Sequence, residues 1–176
     1  MRTAIAAICL GLVTTVAAAD TFMLIPGFTG DSTEVNHKGW LRLSSVEWTV
    51  GSRGGFPSPS NATEDINVGL GVPIGLTVQL PGGPWSVALM RRIASGNSAG
   101  QVTIDHLASD GKPIYRMRLD RVFFKEHQVA STAKSLQVDE ISMVFRVIRY
   151  EHFQVAADGR VSSTAFEWNI AAGTFN

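Results

Sequence analysis

Four imidazoles, His37, His106, His127 and His152, are the side chains in this sequence best suited to proton transfer near neutral pH. A zinc-binding helix needs two of them four residues apart and a zinc-binding strand needs His-x-His; no pair stands at either spacing, so they assemble no metal site. Glu126-His127 and Glu151-His152 put a carboxylate next to an imidazole, the partners of general acid–base chemistry. Neighbours on a strand point to opposite faces, however, and cannot act together. All four are therefore expected as surface or strand-end histidines. The only cysteine, Cys9, excludes an internal disulfide framework, a Cys-based zinc cluster and an iron–sulfur site. A Ser, His and Asp triad would have to be assembled from distant residues. Gly69-x-Gly71-x-x-x-Gly75 has the wrong spacing for a dinucleotide loop and is interrupted by Pro73. Arg116 and Arg118 share a strand face with Asp120 and read as an ion-pairing surface rather than a phosphate cleft. The expectation is a non-enzymatic chain with no catalytic, cofactor-binding or metal residue and no cofactor.

The elements that position these residues belong to one domain. The chain has 176 residues, 45% hydrophobic and 17% charged, enough to bury a core. Fifteen basic residues balance fifteen acidic ones, so no overall field draws it to nucleic acid or an anionic membrane. Residues 1–19 read as a secretory signal peptide: Arg2 at the start, an uncharged apolar run from Ala4 to Val16, then Ala17-Ala18-Ala19 before Asp20. The run is shorter than the ~20 residues a bilayer crossing needs, and Thr14 and Thr15 interrupt it. Cleavage after Ala19 would remove Cys9 and leave a cysteine-free chain, able to reside in an oxidising compartment without mispairing. The expected location is therefore secreted or periplasmic, with no membrane attachment after processing.

Strand signals dominate residues 20–176. Phe22 to Ile25 is a short apolar run ended by Pro26-Gly27. From Lys38 to Val50 the apolar residues change parity, Leu41 and Leu43 giving way to Val46, Trp48 and Val50, as a β-bulge would cause. Arg53 to Asn67 has little periodicity and reads as a long loop, which compact domains rarely keep without a use. After a strand at Val72 to Leu80, Trp85, Leu89 and Ile93 recur every four residues beside Ala88. Pro84 suits the first position of that helix and Gly96 its left-handed end. Further strands are expected at Val102 to Leu107, Ile114 to Lys125, Val138 to Val155 and Val161 to Ile170, with turns at Asp110-Gly111 and Asp158-Gly159. Ile141, Met143, Phe145 and Val147 share one parity, and so do Phe166, Trp168 and Ile170. The pattern predicts a mainly β fold, a closed or sandwich-like β-barrel with one packed α-helix.

Several strings resemble the hemolysin-coregulated protein family, Hcp, the tube protein of bacterial type VI secretion. They are Phe22 through Ser32, His37-Lys38-Gly39 followed by Ser45 and Trp48, Glu140 through Tyr150, Asp158-Gly159, and Trp168-Asn169. The likeness spans residues 20–176. It implies a β-barrel protomer that forms six-membered rings, which stack into a hollow tube expelled by a contractile sheath and carrying effectors. The implied partners are further copies of the chain and type VI spike, sheath or effector proteins; no family catalytic residue transfers. The long loop Arg53 to Asn67 matches in position a loop that the family uses between subunits and rings. Two other readings remain open on the residues alone: an exported periplasmic or extracellular binding module on the same fold, and a secreted hydrolase with a dispersed triad.

Overall fold

A computed structural model of the chain describes residues 19–52, 71–133 and 135–176. Residues 1–18 of the expected signal peptide and the loop Arg53 to Asn67 lie outside them. The elements, in order, are β1 (Asp20–Leu24), β2 (Leu41–Leu43), β3 (Ser45–Ser52), β4 (Gly71–Pro81), α1 (Trp85–Ser95), β5 (Gly100–Leu107), β6 (Pro113–Thr132), β7 (Ser135–Val144), β8 (Val147–Val155), β9 (Val161–Asn169) and β10 (Thr174–Phe175). Every ladder is antiparallel, and together they join ten strands into one sheet. One path runs β10-β9-β8-β6-β5-β1-β2, and a second leaves β6 through β7 and β4 to β3. The fold is thus mainly β with one helix, as expected, but its hydrogen-bonded ladder is that of an open sheet.

The twenty-residue strand β6 belongs to both paths. Its first half lies between β5 and β8, and its second half pairs with β7. Arg121 marks the change of neighbours, in the left-handed region at φ 52°. There the β5 ladder also slips, Gly100 facing Val122 while Val102 faces Leu119. The core collects under this bend: Ile104 from β5, Leu119 from β6, Leu76 and Val78 from β4, Ile141 from β7 and Ile148 from β8 are all fully buried.

Helix α1 follows from the spacing of its apolar residues. Trp85 and Leu89 are buried and Ile93 packs against the same core. Burying a side chain of Leu size contributes about 2 kcal/mol. Pro84 has helical angles and leads into the first turn, and Gly96 at φ 65° ends the helix with its N–H on the Ile93 carbonyl.

Three strand expectations need correction. The parity change between Leu43 and Val46 is a break at Ser44, not a bulge within one strand: β2 pairs with β1, while β3 turns away to pair with β4. The segment expected as one strand from Val138 to Val155 is two strands, interrupted at Phe145 and Arg146. Its buried parity changes there, from Ile141 and Met143 to Ile148, because β7 and β8 take opposite halves of the bent β6. On β9 only Trp168 is buried; Phe166 is exposed because β9 lies near the sheet's margin, with β10 covering only Trp168 and Asn169.

Candidate functional site

The connection between β1 and β2 folds back over the outer face of the sheet. Its shape is set by backbone bonds from the Gly30 N–H to the Gly39 carbonyl, the Gly39 N–H to the Ser32 carbonyl and the Ser32 N–H to the Trp40 carbonyl. A side chain at position 30 would collide with the Trp40 backbone, so glycine is required there. Beneath this connection the register places Arg42, Phe22, Asp105, Arg116 and Glu151 in one row across β2, β1, β5, β6 and β8. Asp105, 3% exposed, accepts two hydrogen bonds of 2.6 Å from Arg116 Nε and Nη2. Burial pushes the Asp105 carboxyl up, but the hydrogen bonds and charge of Arg116 and His37 outweigh it and hold the group below its ordinary value.

The sequence places His37 at the surface; the structure buries it, 5% exposed. Its ring stacks on Phe22 and meets Trp40 edge-on, with centroids 4.7 Å away in each case. Nδ1 lies 2.6 Å from Glu34 Oε2 and Nε2 lies 2.9 Å from Asp105 Oδ2. The expected ion-pairing surface is therefore half correct. Arg116 pairs, but with a buried carboxylate on the next strand, while Asp120 accepts from Gln101 Nε2.

His127 is the second imidazole that the sequence misplaces, since its side chain is 2% exposed. It lies by Asp139, which is fully buried under the start of α1. Ser86 Oγ donates to Asp139 Oδ2, and Gln137 Nε2 donates to Asp139 Oδ1 at 2.8 Å. His127 Nε2 is 3.4 Å from Asp139 Oδ2, but neither ring nitrogen makes a hydrogen bond. A hydrolytic triad needs the imidazole between serine and carboxylate. Here the carboxylate is between serine and imidazole, so Ser86 is not hydrogen-bonded to the imidazole that a triad uses to take its proton.

His106 is half-buried, as a strand-end histidine would be, and His152 is exposed. His106 begins an aromatic column: its ring stacks on Tyr115 at 4.9 Å, Tyr115 on Tyr150 at 5.5 Å, and Trp48 follows at 6.2 Å from Tyr150. Burial lowers the pKa of His106 and raises those of both tyrosines, with the neighbouring Tyr150 adding to the effect at Tyr115. Among the described residues no group of three or more His, Cys, Asp or Glu is placed to hold a metal ion.

Beyond the column an apolar groove of about 460 Å³ opens between the ends of β3 and β4 and the C-terminal strands. Val50, Val72 and Pro73 form one wall; Phe166, Trp168, Ile170 and Phe175 form the other. Sequence reasoning missed it, because β10 carries no strand signal and the two walls are about a hundred positions apart.

Residues 22–152 match the family described as "Type VI secretion system effector, Hcp". This chain belongs to the Hcp family. Among solved structures, one described as a type six secretion system protein is 18% identical, with a TM-score of 0.80 over 90% of this chain and 100% of the other. Hcp1 from Salmonella typhimurium is 15% identical, with a TM-score of 0.74 over 90% and 99% of the two chains. A type VI secretion system effector from Yersinia pestis is 16% identical, with a TM-score of 0.67 over 85% and 99%. At these identities the likeness is one of fold. A comparison with curated protein sequences finds no match. Within the Hcp match fall the β1–β2 connection, the His37 cluster and the Asp139 cluster; β9 and β10, which form one wall of the groove, fall outside it. Among the described residues no helix is long and apolar enough to cross a membrane.

Proposed function

We propose that this Hcp chain is a non-enzymatic structural subunit that assembles into six-membered rings able to stack into a tube and carry effectors. The family match over residues 22–152 carries this reading. Two features of the fold support it. Among the described residues β3 pairs with β4 alone, and β9 is covered by the C-terminal segment only from Glu167 to Asn169, so both present strand edges that a neighbour can cover. These edges belong to different strands, and a head-to-tail ring joins two different surfaces. Ser44 joins β2 directly to β3 and donates its N–H to the Gln79 carbonyl, bringing the two ends of the ladder together where a barrel would close. The test is the solution mass of residues 20–176 by light scattering: six times the monomer mass supports the ring, and a monomer at every concentration overturns it.

The apolar groove favours a second reading, an exported binding module in which Phe166, Trp168 and Phe175 take up an apolar ligand. A monomeric chain whose Trp168 fluorescence responds saturably to such a ligand would favour it over the ring.

For either reading we propose export, with cleavage after Ala19. β1 starts at Asp20, so the cut leaves the first strand whole. Mass spectrometry of the native protein from separated cell fractions should find Asp20 as the N-terminus in periplasm or medium; cytoplasmic protein starting at Met23 overturns the signal reading.

A further inference from the structure

His37 has no ring edge left for solvent. Its two nitrogens face carboxylate oxygens of Glu34 and Asp105, and Phe22 and Trp40 pack on its ring. An ionised carboxylate only accepts hydrogen bonds, so satisfying both contacts requires both nitrogens to donate, which only the doubly protonated ring can do. In that state two carboxylates, Glu34 and Asp105, meet two cations, His37 and Arg116. With one proton removed, a ring lone pair faces a carboxylate oxygen, either of half-exposed Glu34 at 2.6 Å or of buried Asp105 at 2.9 Å, where water screens it little.

We infer that His37 is a proton-operated latch: its doubly protonated ring bonds Glu34 within the β1–β2 connection and Asp105 on β5 at once, and loss of one ring proton breaks one of these two bonds and loosens the connection. The charged groups around it are few. Its own connection supplies Glu34, β5 supplies Asp105, and β6 supplies Arg116, which stands opposite Glu151 of β8. β2 supplies Arg42, 5.7 Å from the Phe22 ring and 3.8 Å from Asp20 Oδ1. β1 contributes only the Phe22 ring against His37 itself. Burial pushes both carboxyls up, yet their hydrogen bonds hold both below their ordinary values, so neither is the source of the missing donor. What the latch fixes in place is a surface segment carrying Val35, an apolar side chain 85% exposed. The inference concerns the single chain and does not depend on ring formation.

Residue-resolved hydrogen exchange on residues 20–176, corrected for intrinsic rates, tests the latch across about pH 5 to 8, where histidine charge changes are ordinarily found. The amides of Gly30, Ser32, Gly39 and Trp40 should lose about tenfold or more of their protection on the alkaline side, the scale of one charge-assisted hydrogen bond, while β5–β6 amides stay protected. Nitrogen NMR of the His37 ring should show the loss in step with the second ring proton. His37→Gln, which donates from only one end of its side chain, should show low protection of the connection at every pH. If that variant does not fold, the wild-type ring spectrum decides alone: a singly protonated ring at the acid end, or protection unchanged as the ring loses its proton, overturns the latch.

Discussion

Arg116 and Asp105 stand directly opposite each other on β6 and β5, and the guanidinium grips the carboxylate through two nitrogens at 2.6 Å. Only Arg116 reaches water; Asp105 is enclosed. Asp105→Asn should therefore cost about 3 kcal/mol, the low end for breaking a buried pair, because the arginine left behind can turn toward solvent.

The same pair fixes a pH dependence. The folded-state pKa of Asp105 lies below its ordinary value of 3.8, so its contribution is fully present above that value and is lost as pH falls through the lowered one. Urea midpoints of the wild type should fall more steeply below about pH 4 than those of Asp105→Asn. Parallel acid limbs would show that the pair does not set this dependence.

Arg121 holds a left-handed conformation that costs a non-glycine residue about 1 kcal/mol. Arg121→Val, branched at Cβ, should lower the urea midpoint by an amount worth about 1–2 kcal/mol. Arg121→Gly should leave it unchanged or higher, since the strain removed offsets the entropy glycine loses on folding, about 0.5–1 kcal/mol. A glycine variant less stable than the valine variant would contradict the bend at this residue.

Trp168 is buried on one side against the core and lines the groove on the other. Trp168→Ala should cost about 3 kcal/mol, the lower end for a large aromatic, because one side of the cavity it leaves is already open. An unchanged denaturant midpoint would place that side chain outside the core.

Ser86 donates to Asp139 and makes no hydrogen bond to the nearby His127 imidazole. A fluorophosphonate reagent should therefore leave it unlabelled, and Ser86→Ala should cost about 1–2 kcal/mol by removing one donor from a buried carboxylate. Stoichiometric labelling at Ser86 would revive the hydrolase reading.

What the sequence makes legible is what neighbours in the chain decide. Trp85, Leu89 and Ile93 with Gly96 specify α1 almost to the residue, and the parity change after Leu43 marks the place where the chain leaves one ladder for another. The break at Phe145 and Arg146 is hidden because Phe145, Val147 and Ile148 are apolar on both parities, leaving nothing local to show the exchange of faces. It is set by β6 bending at Arg121, more than twenty residues earlier. His37 is obscured in the same way: its carboxylate partner Asp105 is 68 positions away, and no spacing rule connects them. His127 comes beside Asp139 only once β6 and β7 have paired.

The double membership of β6 also gives the domain a load path. At roughly 3.3 Å per residue its twenty residues have a contour of about 65 Å, with the bend at Arg121 near the middle. β8 and β9 hang from one half and β7 from the other, so a pull on either side is carried through a single covalent strand rather than across a seam between two sheets. Neither side can be peeled away while the strand keeps both sets of neighbours. Parting the β8 side from the β7 side requires β6 to give up one of these two ladders.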